Sequence, residues 1–523
     1  MTRTQAWGAV LLLVSGIVLR IAPFADNRSL WLDEAKLALN ILERTPTQLF
    51  QPLDHDQAAP VGFLLLEKEA VNLLGEGERA LRLVPLLAGL ASLWLFYLVA
   101  RRWLSPGETL LALALFALDT PLVYYASEVK QYSTDVFVAL LLLFAAGRAI
   151  DDDAHPHARW LLVPAGVAGV WLSHPAIFVA AGAGVTLVLF ASRRGERRRT
   201  VLFGAVTAAW LASFLVHYLV VLKRSDPRGH LVRFWAEGFP PLPPRSVPDL
   251  LWFPDTFFGF FVDPGGLPFA GLAAVAFVVG CWRWRSDARL LGLLVFPMGF
   301  TFLAALLRLY PFPTSGTVAG YPLTGRPILF LVPAAIILVA AGIGWVARSA
   351  DRDRRVLGGV MAGCLVAALV SETVRHPAHR IVLHEVRPLV EALAEQGHPG
   401  DILVLNTRVL SVFRYYLRRL AERAQPVRAL GIVELRGTND WDTYEAQLQA
   451  LPPGTRAWIL YAHHASWRSE QDEAFVLHVL DQRGQLRRKA KTPGASLYLY
   501  RIGAAESTPD GDAALLEEPG LSQ

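Results

Sequence analysis

The chain has 523 residues, 53% of them hydrophobic and 18% charged, with 15 tryptophans and a mean hydropathy of +0.36. A soluble chain of this length carries more charge, spread with amphipathic periodicity. Here the charges are bunched between long apolar runs, which excludes a soluble enzyme and points to a polytopic membrane protein. The formal net charge of +5 resides in short Arg clusters that topology accounts for, so no nucleic-acid partner is implied.

The chain opens with "MTRTQAWGAVLLLVSGIVLR". This run could pass for a signal peptide, but no small-residue cleavage site follows, so a retained first span is expected. Eleven apolar runs, each near the ~20 residues needed to cross hydrocarbon, lie near 5–24, 81–100, 107–124, 134–150, 160–174, 176–191, 200–222, 267–282, 289–307, 327–347 and 356–371. Alternate connectors carry Arg3, Arg101 with Arg102, Arg148 with Arg159, "RRGERRR" at 193–199, "WRWRSDAR" at 282–289 and "RSADRDRR" at 348–355. The positive-inside bias places these in the cytoplasm. The opposite connectors include residues 25–79, with ten acidic and five basic side chains. The expectation is therefore a multi-pass protein of the cytoplasmic membrane, its N-terminus inside and its C-terminal segment outside. The two cysteines, Cys281 and Cys364, stand in apolar runs and read as small buried hydrophobes rather than a disulfide or metal site.

Three outer loops are long: 25–79, with helical stretches near 34–44 and 60–74; the Pro-rich, aromatic 223–266; and 308–326, which ends in "YPLTGRP". Loops of this length serve a purpose, here covering a cavity at the membrane surface. From residue 372 the composition turns soluble. "LHEVRPLVEALAEQ", "GDILVLN", "VLSVFRYYLRRL", "VRALGIVEL", "WDTYEAQLQAL", "RAWILYAHH", "FVLHVLDQR" and "ASLYLYRI" alternate helix and strand, as in a small α/β domain. The expected organisation is a membrane domain over 1–371, an extracytoplasmic α/β domain over 372–503, and a disordered acidic tail over 504–523.

The membrane runs are almost free of ionisable groups at mid-depth, whereas an ion-coupled transporter carries them there. The polar groups gather at the outer ends of the spans. In "SLWLDEAKLALNILER", residues 29–44, Asp33 and Glu34 follow an apolar run directly. Asp33 could cap a helix over 34–44, or one carboxylate could serve as general base toward an acceptor hydroxyl. Asp54, His55 and Asp56 have the look of a small cation site, with His55 and Asp56 also candidate substrate contacts, but the three letters suit a solvated turn before the helix that Pro60 opens better. No cofactor is otherwise indicated; a divalent cation at Asp54 and Asp56 is the one candidate.

The stretch "LDTPLVYYASEVKQYSTDVFV", 118–138, joins the third and fourth spans. As a continuous helix it places Tyr124, Glu128, Gln131 and Asp135 on one face, with Tyr132 beside it and Lys130 pointing away. An interfacial belt and a substrate site are both open. Arg82 and Arg326 stand at outer span ends and suit a lipid-linked phosphate or a headgroup. His174, in "WLSHP", suits either a hydrogen-bonded turn or a substrate contact.

Taken in order, these features resemble the GT-C superfamily of membrane glycosyltransferases, and most closely its family 39, the protein O-mannosyltransferase and lipid A aminoarabinose transferase type. Asp33–Glu34 match an acidic position in that family's first outer loop. "DQAAPVGFLLLEK" is similar to its "His/Lys-Pro-Pro-Leu" stretch, with only Pro60 retained. "ASEVKQYSTD" is similar to its "S-x-E/D-x-R-x-Y" stretch, with Lys130 where Arg often stands, and "GRPILFLVP" at 325–333 resembles a late "R-Y-L/I…P" element. The resemblance implies a polyprenyl-phosphate sugar donor, an envelope acceptor, Asp33 as base, and Lys130, Arg82 or Arg326 beside the leaving phosphate. It also implies a groove between spans for the lipid tail, with the aromatics of 250–261 as candidate wall. Two other readings of the same features are a transporter or flippase of a lipid-linked sugar, and a non-catalytic envelope scaffold.

Overall fold

The computed structural model describes residues 2–150, 161–226, 229–315, 324–375, 383–420, 425–435, 441–462 and 467–503. Among them, eight helices are long and apolar enough to cross a membrane: Arg3–Asp26, Leu83–Trp103, Tyr132–Ile150, Ala176–Arg193, Arg197–Ser225, Ala288–Leu306, Arg326–Ala347 and Arg352–Arg375. Three shorter apolar helices, Pro106–Ala117, Leu162–Leu172 and Ala270–Arg283, complete the eleven runs expected from the sequence. The protein is a multi-pass α-helical membrane protein. The expected tail 504–523 and the middle of the third long loop, 316–323, lie outside the described residues.

Two compact units emerge. The first comprises Met1–Asp26, Glu43–Gly75 and Arg79–Arg380; the second comprises Asn27–Leu42, Glu76–Glu78 and Ile381–Gln523.

In the first unit the span Arg326–Ala347 runs through the core, buried almost throughout. Small residues let backbones touch. A Cβ added at Gly342 would sit 1.9 Å from the Ala276 carbonyl oxygen, and one at Gly280 would sit 2.0 Å from that of Leu338. This is the small-residue packing that membrane helices rely on where lipid supplies no hydrophobic drive. The Arg-bearing end of the bundle is tied by Glu108, whose buried carboxylate accepts from Arg283 and, at 2.6 Å, from Arg348, and reaches back to the Ser105 N–H at 2.9 Å. Cys281 and Cys364 are both free. Cys364 is exposed rather than buried, because it lies on the outward face of the helix Arg352–Arg375.

The second unit is built on a five-stranded mixed sheet of order β2-β1-β3-β5-β4, with β1 Ile402–Asn406, β2 Gly431–Leu435, β3 Arg456–Ala462, β4 Gly484–Thr492 and β5 Ala495–Ile502. β2, β1 and β3 are parallel; β5 and β4 add antiparallel. The apolar β1, β3 and β5 are buried between helices, as central strands require. β4, "GQLRRKAKT", is absent from the sequence reading because its Lys and Arg residues break the apolar pattern. Such charge is what a protected edge strand carries.

Candidate functional site

In the second unit the chain from Asn27 to Leu42 is pinned against the sheet domain. The Ser29 Oγ donates to Glu385 Oε2 at 2.7 Å, the Leu30 N–H donates to the Tyr416 hydroxyl at 2.7 Å, and Arg387 donates to the Asn27 carbonyl at 2.9 Å. Arg387 also pairs with Glu78 at 2.9 Å. This anchoring starts the helix Leu32–Glu43 with Asp33 and Glu34 in its first turn, where the helix dipole favours acids. The expected cap falls to a different residue. Glu34, fully buried, accepts the Trp31 N–H at 3.3 Å, the reach-back half of a capping box, because the side chain of the third helical residue can fold over the helix start. Asp33, which the sequence suggested as cap, stays partly exposed.

The first unit gathers a second group of side chains. The stretch 118–138 is not one helix. It forms Thr120–Tyr125, a turn over 126–131, and the span from Tyr132. Asp119 caps the first piece, accepting the Leu122 N–H at 2.8 Å. The turn closes on itself through Ser127 N–H to Tyr124 O at 3.1 Å and Lys130 N–H to Glu128 O at 2.7 Å. The expected helical stripe is therefore replaced by a folded knot in which Tyr124, Glu128, Lys130, Tyr132 and Asp135 are all buried. Lys130, expected to point away, turns inward and donates to Gln57 Oε1 at 2.6 Å. Tyr125 stacks edge-on against Tyr124 and Tyr132, at 5.1 and 4.9 Å between ring centres. Burial, reinforced by the Glu128 carboxylate, pushes the Tyr125 phenol well above its usual range, while Arg326 acts in the opposite sense.

Arg326 joins this knot from the late loop. Its guanidinium lies over the Trp235 ring, 5.4 Å from the centre. Asp263 fixes the approach, accepting from Thr324 Oγ1 at 3.0 Å and the Gly325 N–H at 3.1 Å. Burial raises the Asp263 carboxyl, and these bonds and Arg326 oppose the rise. Only glycine fits at 325, since a Cβ would meet Pro264 at 2.4 Å. Tyr310 donates to the Pro327 carbonyl at 2.7 Å, and burial, then Asp135, drives its phenol upward.

His174 and His217 lie 5.4 Å apart between ring centres, with Trp171 over His217 at 4.9 Å. Burial, then His217, lowers His174 to about 3, so it is neutral. Asp135 Oδ1, Ser173 Oγ and His174 Nε2 are buried atoms that take no hydrogen bond among the described residues. Arg82 is fully buried at the start of the helix Leu83–Trp103, not spread on the surface.

Asp54, His55 and Asp56 form the turn that was one of their two readings. His55 and Asp56 have φ of 62° and 55°, and exposed Asp54 pairs with Arg44 at 2.9 Å. Among the described residues no three His, Cys, Asp or Glu side chains converge on a metal position. The residue of this stretch that enters the knot is Gln57, which sequence reasoning passed over; an uncharged side chain leaves no pattern. Tyr125, Trp235, Asp263 and Tyr310 were missed for the same lack of periodic signal.

The first unit also holds a groove of about 340 Å³, lined chiefly by Phe253, Phe257, Phe261, Phe277, Phe302 and Phe312. Its helix Val247–Val262 is started by a capping box between Ser246 and Asp249. The Phe312 N–H donates to the Gly238 carbonyl at 2.8 Å, which ties the groove wall to the segment bearing Trp235. The sequence expectation that the aromatics of 250–261 wall a groove thus matches the cavity found.

Residues 57–219 match the family described as dolichyl-phosphate-mannose-protein mannosyltransferase. The chain is similar in structure to ArnT from Cupriavidus metallidurans in the apo state, with TM-score 0.52 and 15% identity over 95% of this chain and 98% of that one. It is also similar to the same protein bound to undecaprenyl phosphate, with TM-score 0.51 and 15% identity over 94% and 97%. The archaeal oligosaccharyltransferase AglB from Archaeoglobus fulgidus, in complex with an inhibitory peptide and a dolichol-phosphate, aligns with TM-score 0.49 and 11% identity over 95% and 74%. No curated protein matches the chain in sequence. The likeness to ArnT shows the fold: the chain is folded as that membrane protein is.

Proposed function

We propose that this protein is an integral membrane glycosyltransferase that moves a sugar from a polyprenyl-phosphate donor to an acceptor hydroxyl. The observation that carries the reading is the cationic, tyrosine-rich knot of Lys130, Glu128, Tyr125 and Arg326, in the same unit as an aromatic groove whose wall residue Phe312 bonds to Gly238, three residues from Trp235. It occurs on a fold similar to one solved with undecaprenyl phosphate bound. The groove takes the isoprenoid tail, and Lys130 and Arg326 face the phosphate. Asp135, Ser173 and His174 supply hydrogen bonds to sugar hydroxyls. Asp33 takes the proton from the acceptor O–H as that oxygen attacks the anomeric carbon, with inversion. The bond from that carbon to the phosphate oxygen breaks, and the polyprenyl phosphate leaves as an anion held by the cations. The acceptor lies at the outer face of the cytoplasmic membrane.

The test offers a panel of polyprenyl-phosphate sugars to the purified protein and follows sugar transfer. Asp33→Asn should lose at least roughly 10²-fold in rate, the scale of general base catalysis. Lys130→Ala should lose a similar factor, the scale of one electrostatic contact. Full transfer by both folded variants would sink the assignment of roles, and no transfer from any donor by the wild type would sink the function.

A further inference from the structure

The far end of the bundle, where the Arg-rich connectors lie, holds a cavity of about 630 Å³ lined by Leu98, Arg101, Arg102, Trp103, Phe144 and Arg148. Topology requires arginines at this end, but not that three of them line one cavity. Their convergence has a local cause. The helices Leu83–Trp103 and Tyr132–Ile150 pack so closely at their ends that a Cβ on Gly147 would lie 2.8 Å from the Trp103 ring. Arg102, in the last turn of one helix, and Arg148, in the last turn of the other, are thereby brought near enough to repel each other. Arg101 is held over the Tyr97 ring, 5.5 Å from its centre. Among the described residues that line the cavity none is a carboxylate, and Arg101 and Arg102 are exposed. Leu98 and Phe144 make the remaining wall apolar, and Trp103 is of the type that seats at the headgroup level.

A cavity lined by three guanidinium groups together with apolar side chains matches one chemistry: a phosphate ester attached to acyl chains. Guanidinium groups bind phosphate oxygens bidentately, and basic pockets between spans accept anionic headgroups. We propose that this cavity binds the phosphate headgroup of an anionic membrane lipid, at a site separate from the knot and the aromatic groove and independent of the transfer reaction.

Retention of phosphatidylglycerol and of phosphatidylcholine on the purified full chain, measured by native mass spectrometry, tests this. Wild type should keep phosphatidylglycerol in preference. Arg101→Gln with Arg148→Gln should weaken retention by roughly five-fold per arginine, on the scale of one juxtamembrane cation. Arg354→Gln with Arg355→Gln, an equal loss of charge on another connector, should leave it unchanged. Equal loss in both double variants would overturn the site in favour of net charge, and so would no preference in the wild type. Millimolar inorganic phosphate separates the two sources of the anion. If it binds as tightly as the lipid, the acyl chains contribute nothing and the lipid assignment falls. Asp151, Asp152 and Asp153 follow Arg148 closely in sequence. Phosphatidylglycerol retention that appears only after all three become Asn would also overturn the proposal, since the chain's own acids would then be the ligand.

Discussion

At the scale of single residues, the two adjacent carboxylates stand in different surroundings. Glu34 is buried and caps its helix through the Trp31 N–H, while Asp33 stays partly exposed beside it. Glu34→Ala should cost about 1 kcal/mol as a lost cap, read as a lower Tm in detergent. Glu34→Gln, which keeps an acceptor, should lose much less. His174 makes a pH prediction. In the folded protein it binds no proton until about pH 3, whereas an unfolded histidine takes one below ~6.5. The unfolded state thus binds more protons across that window, and stability falls as pH drops through it. Tm measured from pH 7 to pH 4 should fall more steeply for the wild type than for His174→Gln. Of these details the sequence made the acidic pair and His174 visible. It could not show which acid folds back over the helix start, because that depends on how Ser29 and Leu30 are anchored to residues more than 350 positions away.

At the scale of elements, apolar run length was enough to place eleven apolar helices, eight of them long enough to span the hydrocarbon, whose thickness leaves a span little freedom. The reading failed in the short stretch 126–131. Its helical spacing was plausible locally, but Ser127 and Lys130 close tight turns there, and the Gln57 contact draws Lys130 inward. Strand β4 was missed because an exposed edge needs no apolar alternation. Helix contacts yield a sharper prediction. Gly342→Ala drives a methyl into the Ala276 carbonyl and should cost about 1–3 kcal/mol, the range for overpacking. Gly359→Ala, with no atom within 4 Å of its added Cβ, should leave thermal stability in detergent unchanged.

At the scale of the whole molecule, the eleven apolar runs of the sequence are an odd number, and the Arg-rich connectors alternate with a set that includes the acidic stretch 25–79. The two ends of the chain should therefore lie on opposite sides of the membrane. Reporter fusions before Arg3 and after Gly503 should report cytoplasmic and extracytoplasmic locations respectively, and a shared location would refute the topology. The sequence by itself determined the membrane class, the spans and the small α/β domain, because each follows from local hydrophobicity and period. It also drew attention to Asp33, Lys130 and Arg326 through short motifs. Only the tertiary structure decided that Lys130 meets Gln57, that Arg326 lies over Trp235, and that three arginines share one cavity. Such convergence joins side chains far apart in sequence. It is set by helix packing and loop anchoring, which leave no periodic trace in the order of residues.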